Sequence, residues 1–323
     1  MKFRFGLSIG SLLNIKNVID FSANADKHER IDSLWVPESW GKEAFSTLGA
    51  ISQITKKVKL GTSIINIYSR TPATIAMGAI SIDNLSDNRM IIGLGASTSA
   101  IVENFHGLKY DNPIIRMKEY IQSLRLLLHS DEKTNYDGII VKIKDFKILE
   151  TSRPEIPIHV AAVNKKMIQI GMEQADGLLF YLRPLKEIKN LIQDIKDKKK
   201  IHTSLVLITS VSNNDPLKAK ERAAKTLAFY ISVGSVYYNF LLKTDYKIDV
   251  EKIYRVYHTQ GLEKSIGCIP TNMLDDLVIY GSVEDCQNQI KRFISAGIDL
   301  PILQINPIKD KEGKLNYKDF LEL

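Results

Sequence analysis

A carboxylate stands between two tryptophans in the segment Trp35-Val36-Pro37-Glu38-Ser39-Trp40. The segment ends a short apolar run, so Glu38 falls where a buried strand gives way to a loop. A carboxyl group beside aromatic rings can transfer a proton or hydrogen-bond a heterocycle. We interpret Glu38 and Ser39 as candidate catalytic residues and Trp40 as part of a substrate pocket. The alternative for Glu38 is an exposed loop carboxylate.

Small and polar side chains follow three further apolar runs. Thr62-Ser63-Ile64-Ile65-Asn66 closes one run, Gly93-Leu94-Gly95-Ala96-Ser97 a second, and Ala161-Ala162-Val163-Asn164 a third. Small residues leave the backbone accessible, so that a flat ring or a phosphate can approach it. Each segment also has a plainer interpretation, as strand-end capping, a turn or close helix–strand packing. The glycines lack the third glycine and the acidic partner of a dinucleotide-binding fingerprint.

Strand-like and helix-like segments alternate along the 323 residues. The sequence predicts eight strands, which in chain order are Phe3–Ile9, Ser33–Val36, Val58–Ile67, Met90–Leu94, Ile156–Ala161, Gly177–Tyr181, Ser204–Val211 and Pro301–Ile305. The first connecting helix is predicted over Ile15–Arg30. Parallel strands need such crossovers, and eight units in one chain favour a closed (β/α)8 TIM barrel over a doubly wound sheet. We therefore predict an α/β fold with one barrel domain over residues 1–323.

Two segments interrupt the alternation. Within residues 131–156 the turn signal Tyr136-Asp137-Gly138-Ile139 lies between two short strand-like runs, which predicts an inserted hairpin. Residues 233–280 contain aromatic clusters and predict a second, mostly helical insertion.

Composition excludes several classes of protein. The net charge is +7, but the basic residues are spread out, apart from the run Lys196 to Lys200, which we interpret as a solvated helix end. Two cysteines are too few for a disulfide framework, and the histidines lack metal-ligand spacing. No signal-peptide core and no run approaching 18 apolar residues is present. We expect a cytoplasmic protein with a small-molecule substrate and no metal, nucleic acid or membrane partner.

Several short motifs occur in a characteristic order. They are Leu60-Gly61-Thr62-Ser63-Ile64, Tyr68-Ser69-Arg70-Thr71-Pro72-Ala73, Leu85-Ser86-Asp87-Asn88-Arg89, Ile92-Gly93-Leu94-Gly95, Ala175-Asp176-Gly177 and Tyr280-Gly281-Ser282-Val283-Glu284-Asp285-Cys286. Their order and spacing, over nearly the whole chain, resemble the luciferase-like monooxygenase superfamily. Within it they are similar to the branch that uses the deazaflavin coenzyme F420.

The resemblance implies a TIM-type barrel with insertions and a flavin or deazaflavin across the carboxyl ends of the strands. Members with the deazaflavin commonly hold a non-prolyl cis peptide at the end of the third strand, which by position is Ser63–Ile64 here. The resemblance thereby assigns cofactor binding to Ser63, Ile64, Asn66, Gly95, Ala96, Ser97, Ala161, Ala162, Val163, Asn164, Asp176 and Gly177. It places Ser8, Trp40 and Tyr68 in the substrate pocket.

The implied activity is hydride transfer between F420 and an organic substrate. The motifs are most similar to those of methylenetetrahydromethanopterin reductases, which implies a methylene-tetrahydropterin, although Ser8 and Ser39 replace a glutamate and a histidine of that pattern. Two alternatives stay open: an FMN-dependent monooxygenase of the same superfamily, and a barrel that has lost catalysis. A homodimer or higher homo-oligomer is also implied, with the helices Ala44–Thr55 and Thr74–Leu85 as candidate contact surfaces.

Overall fold

The computed structural model describes residues 3–10, 14–39, 41–129, 132–150, 153, 155–310 and 312–323. Within these residues the strands are β1 (Phe5–Ser8), β2 (Ile31–Val36), β3 (Lys59–Thr62), β4 (Ile65–Asn66), β5 (Met90–Gly95), β6 (Thr134–Asp137), β7 (Lys142–Phe146), β8 (Ile158–Ala161), β9 (Gly177–Tyr181), β10 (His202–Val211), β11 (Val278–Gly281) and β12 (Leu300–Ile305). The α-helices are α1 (Ile15–Ala25), α2 (Ala44–Ile54), α3 (Pro72–Leu85), α4 (Pro113–His129), α5 (Lys165–Gln174), α6 (Leu185–Lys196), α7 (Pro216–Val233), α8 (Ser235–Leu241), α9 (Lys247–Gln260), α10 (Leu262–Ile266), α11 (Thr271–Leu277), α12 (Val283–Ser295) and α13 (Lys318–Leu321).

The chain has the (β/α)8 barrel fold that the sequence predicts, with parallel strands and helices between them. It divides into two compact units. Ser8–Leu179 forms the N-terminal unit, and Met1–Leu7 with Phe180–Leu323 forms the C-terminal unit. Within the described residues, no helix is both long enough and apolar enough to span a bilayer.

In the N-terminal unit, β2, β3, β5, β8 and the first residues of β9 pair in parallel. Strands β2 and β5 are buried at every position. This uniform burial explains why β5 reads as a continuous apolar run, since a parallel sheet is covered on both faces. His159 of β8 is 4% exposed and lies 5.9 Å from the Trp35 ring, so it is a core histidine.

The first helix is shorter than predicted and ends at Ala25 instead of Arg30. The next residue, Asp26, explains the difference. Its carboxylate accepts the backbone N–H groups of residues 56–58 at 2.8, 2.8 and 2.9 Å. Burial alone would raise the pKa of Asp26, but these hydrogen bonds outweigh it and lower the pKa. The carboxylate thus ties the end of α1 to the chain that enters β3.

The predicted hairpin is present as the antiparallel pair β6–β7. A buried carboxylate of α4 anchors its turn. Glu119 is 5% exposed, and its two oxygens accept the N–H groups of Ile139, Ile140 and Val141 at 2.6, 2.8 and 2.8 Å. Position 138 favours glycine, because an added Cβ would lie 2.5 Å from Glu119 Oε2.

Glu119→Gln is expected to lower the free energy of unfolding by about 2 kcal/mol at pH 7, because an amide nitrogen cannot accept an N–H. Burial raises the pKa of Glu119, but the three N–H groups outweigh it and hold the pKa below its ordinary 4.5. The stabilisation is therefore complete above pH 4.5 and is lost as the pH falls through the lowered folded value. Urea unfolding of the wild type and of Glu119→Gln between pH 7 and about pH 3 tests this. The difference between their free energies of unfolding should become smaller as the pH falls.

The exposed Glu155 gives the matched control, since it makes no hydrogen bond or ion pair with the described residues. Glu155→Gln should leave the free energy of unfolding unchanged within about 0.5 kcal/mol. A difference between wild type and Glu119→Gln that stays constant as the pH falls would contradict the anchoring role.

In the C-terminal unit, β10 pairs in parallel with both β11 and β12. Asp215 caps α7 with Pro216 as its first residue, and Ser282 and Asp285 form a capping box on α12. The segment 233–280 is mostly helical, as expected, with four helices, but it also contains most of a strand, β11, that the sequence analysis missed. Four residues are too short a run for periodicity to separate strand from helix.

Candidate active site

The chain departs from regular strand geometry at the end of β3. The peptide bond between Ser63 and Ile64 is cis, which confirms the prediction for this position. The Ser63 N–H donates to Val36 O at 3.0 Å, and Ile64 O accepts the Glu38 N–H at 3.3 Å. The two residues are thereby held against the end of β2.

The third predicted strand is consequently divided in two rather than continuous over Val58–Ile67. Gly61 pairs with Ile91, and Ile65 pairs with Leu94. The β3–β4 side therefore holds one residue more than the β5 side between these pairs. Such an extra residue is a bulge, which redirects side chains at a sheet rim.

A side chain replaces the missing backbone pairing at this bulge. Thr62 Oγ1 accepts the Gly93 N–H at 2.8 Å and donates to Gly93 O at 2.9 Å. The backbones also approach closely, since a Cβ on Gly93 would lie 1.8 Å from Thr62 O. Gly93 is thus required by its contact with Thr62.

Two polar atoms near the bulge are buried and have no hydrogen-bond partner among the described residues. They are Ser63 Oγ and Asn66 Nδ2. Asn66 is 2% exposed, and its Oδ1 accepts the Tyr68 N–H at 2.9 Å, which directs the amide nitrogen away from Tyr68. Buried polar groups without partners are unusual, and a ligand can supply the missing partner. A heterocycle that carries ring carbonyls fits these two atoms.

The second predicted cofactor segment lies beside the first. Gly95 ends β5 and pairs with Asn66 of β4. The Ile64 side chain packs on Gly95, where an added Cβ would lie 2.5 Å from Ile64 Cγ1. Ala96 and Ser97 follow, and Ser97 has a positive φ of 58°. The structure therefore brings together residues 63–66 and 95–97.

The third predicted segment lies at the same rim, because β5 and β8 are parallel neighbours. Ala161 ends β8, and the N–H of the buried Ala162 donates to Leu179 O at 3.0 Å. Val163 follows, half-buried. Asn164 is exposed and caps α5 by accepting the Met167 N–H at 3.0 Å. Its side chain is therefore already engaged in the helix.

Asp176 and Gly177 are not brought to this rim. They lie where β9 begins, and the Asp176 carboxylate accepts the N–H of Ile158, the first residue of β8, at 2.7 Å. The same carboxylate pairs with Arg125 at 2.5 Å, and Gly177 packs against the His159 ring. Both residues thus lie at the amino ends of β8 and β9, opposite to Ala161 and away from residues 63–66 and 95–97.

Glu38 forms an ion pair that the sequence analysis did not anticipate. Arg70 Nε and Nη2 lie 2.8 and 2.9 Å from the two Glu38 oxygens, and the Ala44 N–H donates to Oε2 at 3.0 Å. The hydrogen bond and charge of Glu38 raise the pKa of Arg70. The pair is mostly buried, with side-chain exposures of 13% for Glu38 and 23% for Arg70. Both carboxylate oxygens are therefore occupied.

The other predicted residues have simpler surroundings. Ser39 follows Glu38 in the turn after β2 and is half-buried, while Ser8 ends β1 and is 4% exposed. Trp40 lies outside the described residues. Arg70 was visible in the sequence only as part of a motif, because nothing in the sequence pairs it with a carboxylate 32 residues away.

Tyr68 is fixed by three contacts. Its ring stacks on Tyr110 at 5.2 Å, Arg116 Cζ lies 4.5 Å from the ring centroid, and the hydroxyl donates to Asp111 O at 2.7 Å. Burial raises the pKa of Tyr68 to about 12. The hydroxyl is therefore neutral at physiological pH.

The comparison with family models gives one match over most of the chain. Residues 2–300 match the model described as luciferase-like monooxygenase. A solved structure from Methanopyrus kandleri, a coenzyme F420-dependent tetrahydromethanopterin reductase, aligns with a TM-score of 0.83 at 21% identity, covering 97% of this chain and 96% of that one. At this identity the likeness supports the fold.

Two curated relatives also align over most of their length. A protein of Mycobacterium tuberculosis, provisionally named a coenzyme F420-dependent oxidoreductase, is 26% identical over 302 residues, which cover 84% of this chain and 86% of the relative. The 5,10-methylenetetrahydromethanopterin reductase of Methanolobus tindarius is 25% identical over 312 residues, covering 93% of this chain and 94% of the relative.

Proposed function

Since the chain belongs to the luciferase-like monooxygenase family, we propose that it is an oxidoreductase that uses coenzyme F420 to transfer a hydride to or from an organic substrate. The observation that carries the proposal is the rim segment from Ser63 to Asn66, with its two buried polar atoms that have no partner among the described residues. Relatives named for F420 or for a reductase, which align over most of their length, support it.

Three groups of residues are proposed to hold the deazaflavin. Ser63, Ile64 and Asn66 would lie against the ring, with Ser63 Oγ and Asn66 Nδ2 hydrogen-bonding its polar edge. Residues 95–97 and 161–163 would border the ring or its side chain, because their small side chains leave the backbone accessible. When bound, F420 supplies the hydride-carrying carbon, and the protein supplies orientation and electrostatics.

Titration of the apoprotein with F420 and FMN, followed by absorbance, tests the cofactor. We expect F420 to bind and Asn66→Leu to weaken its binding about tenfold, because one hydrogen bond from a buried amide is lost. Asn190→Leu, on the exposed face of α6, is the matched control and should not alter binding. Tight binding of FMN without F420 would instead support the FMN-dependent monooxygenase, and binding of neither would support a barrel without catalysis.

For the substrate we propose a methylene-tetrahydropterin, which rests on the likeness to the Methanolobus tindarius reductase. Oxidation of reduced F420 on adding methylene-tetrahydromethanopterin measures this activity. If F420 binds but is not oxidised, the cofactor proposal stands and this substrate is excluded.

Two further expectations from the sequence stay predictions. One is a cytoplasmic location, for which reduced thiols are typical, and Cys268 and Cys286 are both free cysteines. For a homodimer, the exposed Ile54 of α2 and the exposed Met77 and Leu85 of α3 offer apolar surface on the helices named in the sequence analysis. Sedimentation velocity would test the oligomeric state, and a monomer in solution would contradict the predicted homo-oligomer.

A further inference from the structure

A cavity of about 540 Å³ lies in the N-terminal unit, apart from the cofactor residues proposed above. The chain between β4 and α3, from Tyr68 to Ala73, lines one side of it. Arg116 and Tyr120 of α4 line a second side, and the hairpin residues 140–144 with Phe146 line the third. Its volume is typical of a pocket for a small organic ligand.

The charged groups of this cavity are all cations. Arg70, Arg116, Lys142 and Lys144 line it, and the lining contains no aspartate or glutamate. These cations come from three separate elements, so a ligand in the cavity meets positive charge from several sides. The positive end of the α3 dipole lies there too, since α3 begins at Pro72.

Carboxylates outside the lining neutralise some of these cations but not all. Arg70 is bound by Glu38, and Lys142 lies 2.5 Å from Asp137. Arg116 Nη2 forms a long ion pair with Asp111 at 3.4 Å, and Arg116 Nε is buried without a hydrogen-bond partner among the described residues. Lys144 is exposed and forms no ion pair within the part of the chain that the structure describes. Lys144, and Arg116 through the part of its guanidinium that Asp111 does not engage, are therefore the groups that a ligand could pair with.

Apolar surface accompanies this charge. The aromatic rings of Tyr120 and Phe146 and the side chains of Ile140 and Ile143 line the same cavity. The Tyr120 hydroxyl is already used, since it donates to Arg70 O at 2.8 Å. A ligand that fits both features has a flat apolar body and an anionic group.

We propose that this cavity binds an organic phosphate built on an unsaturated ring. The phosphate would pair with Arg116 and Lys144, and the ring would lie against Phe146 and Tyr120. A phosphate presents several acceptor oxygens and up to two negative charges, which suits cations that converge from α4 and β7 better than a carboxylate does. This site shares Tyr68 with the predicted substrate pocket but contains none of the proposed cofactor residues.

Calorimetric titration of the cofactor-free protein with phenyl phosphate, in a buffer without phosphate, tests the proposal. Phenyl phosphate is expected to bind more tightly than benzoate, inorganic phosphate or benzyl alcohol, because only phenyl phosphate combines the ring with a dianionic group. Arg116→Gln should weaken its binding about tenfold, and Lys144→Gln about threefold. Lys147→Gln, an exposed lysine of the same hairpin outside the cavity, should leave it unchanged.

The same titration in the presence of saturating F420 separates this site from the cofactor site. Phenyl phosphate binding that persists supports a separate cavity, whereas displacement by F420 overturns it. Absence of binding to the wild type, or equal binding by Lys144→Gln and Lys147→Gln, also overturns it. Because Lys144 is exposed, its variant stays informative even if Arg116→Gln fails to fold. Failure of F420 to bind would overturn the proposed function and leave the cavity proposal intact.

Discussion

Gly93→Ala is expected to lower the midpoint of thermal unfolding by roughly 8 °C or more and to abolish the proposed binding of F420. The added methyl group would lie 1.8 Å from Thr62 O, which is a backbone atom. A backbone oxygen cannot move aside as the end of a flexible side chain can. The strands β3 and β5 would have to separate at this point.

The same separation would affect the proposed cofactor site. Thr62 Oγ1 exchanges two hydrogen bonds with Gly93, and Ser63 is the next residue along the chain. Any shift of Thr62 therefore moves the rim against which the deazaflavin is proposed to lie. Circular dichroism on heating measures the stability, and absorbance titration measures cofactor binding.

Gly49→Ala is the matched control. An added Cβ at Gly49 would lie 3.6 Å from Ile82 Cδ1, which is ordinary van der Waals contact. Gly49 is inside helix α2, where alanine is favoured over glycine by roughly 1 kcal/mol, so this variant should be as stable as the wild type or more stable. If Gly93→Ala unfolds at the same temperature as Gly49→Ala, the close contact at the bulge is not a constraint.

The barrel was predictable because its signals are local. Alternating apolar strands and helices, the Asp215-Pro216 helix start and the Asp137-Gly138 turn each depend on residues close in sequence. The cis peptide bond between Ser63 and Ile64 was predictable only through the family resemblance. The residue pattern itself predicts one strand over Val58–Ile67. A bulge does not change the types of residue along a strand, so the pattern carries no sign of it.

The misplaced and missed site residues have a common physical reason. Asp176 and Gly177 lie close in sequence to Ala161–Asn164, yet a parallel strand begins at the end of the sheet where its neighbour begins. Sequence proximity therefore does not predict a shared rim. Similarly, Glu38 and Arg70 follow β2 and β4, and only the folded chain brings them together. The sequence alone therefore does not predict their ion pair.

The ion pair with Arg70 helps to decide whether Glu38 transfers a proton or positions the chain. A general acid must carry a proton in the resting state, and a general base must have an oxygen free to receive one. The bidentate contact with Arg70 occupies both carboxylate oxygens, so neither is free to exchange a proton with a substrate. We therefore expect Glu38 to be a positioning residue, which holds the end of β2 against the start of α3, and not the catalytic residue that the sequence suggested.

A double-mutant cycle with Glu38→Gln and Arg70→Met tests this role. Arg70→Met should lower the free energy of unfolding by roughly 3 kcal/mol, because it leaves the mostly buried Glu38 carboxylate without its cation. Glu38→Gln should lower it less, because Arg70 keeps its ion pair with Glu43. The double variant should lose less than the sum, with a coupling energy of about 2 kcal/mol. The pair Lys186–Asp245, with both side chains 74% exposed, is the control and should show a coupling below about 0.5 kcal/mol.

The rate of single-turnover hydride transfer then distinguishes a positioning role of Glu38 from a role in proton transfer. If Glu38 positions the rim, Glu38→Gln and Arg70→Met should slow the step by similar factors of about tenfold and leave its pH dependence unchanged. Loss of a proton-transferring group would instead cost Glu38→Gln about 10²–10⁴-fold and remove one limb of the pH profile, while Arg70→Met kept that limb. The second result would restore Glu38 as the catalytic residue.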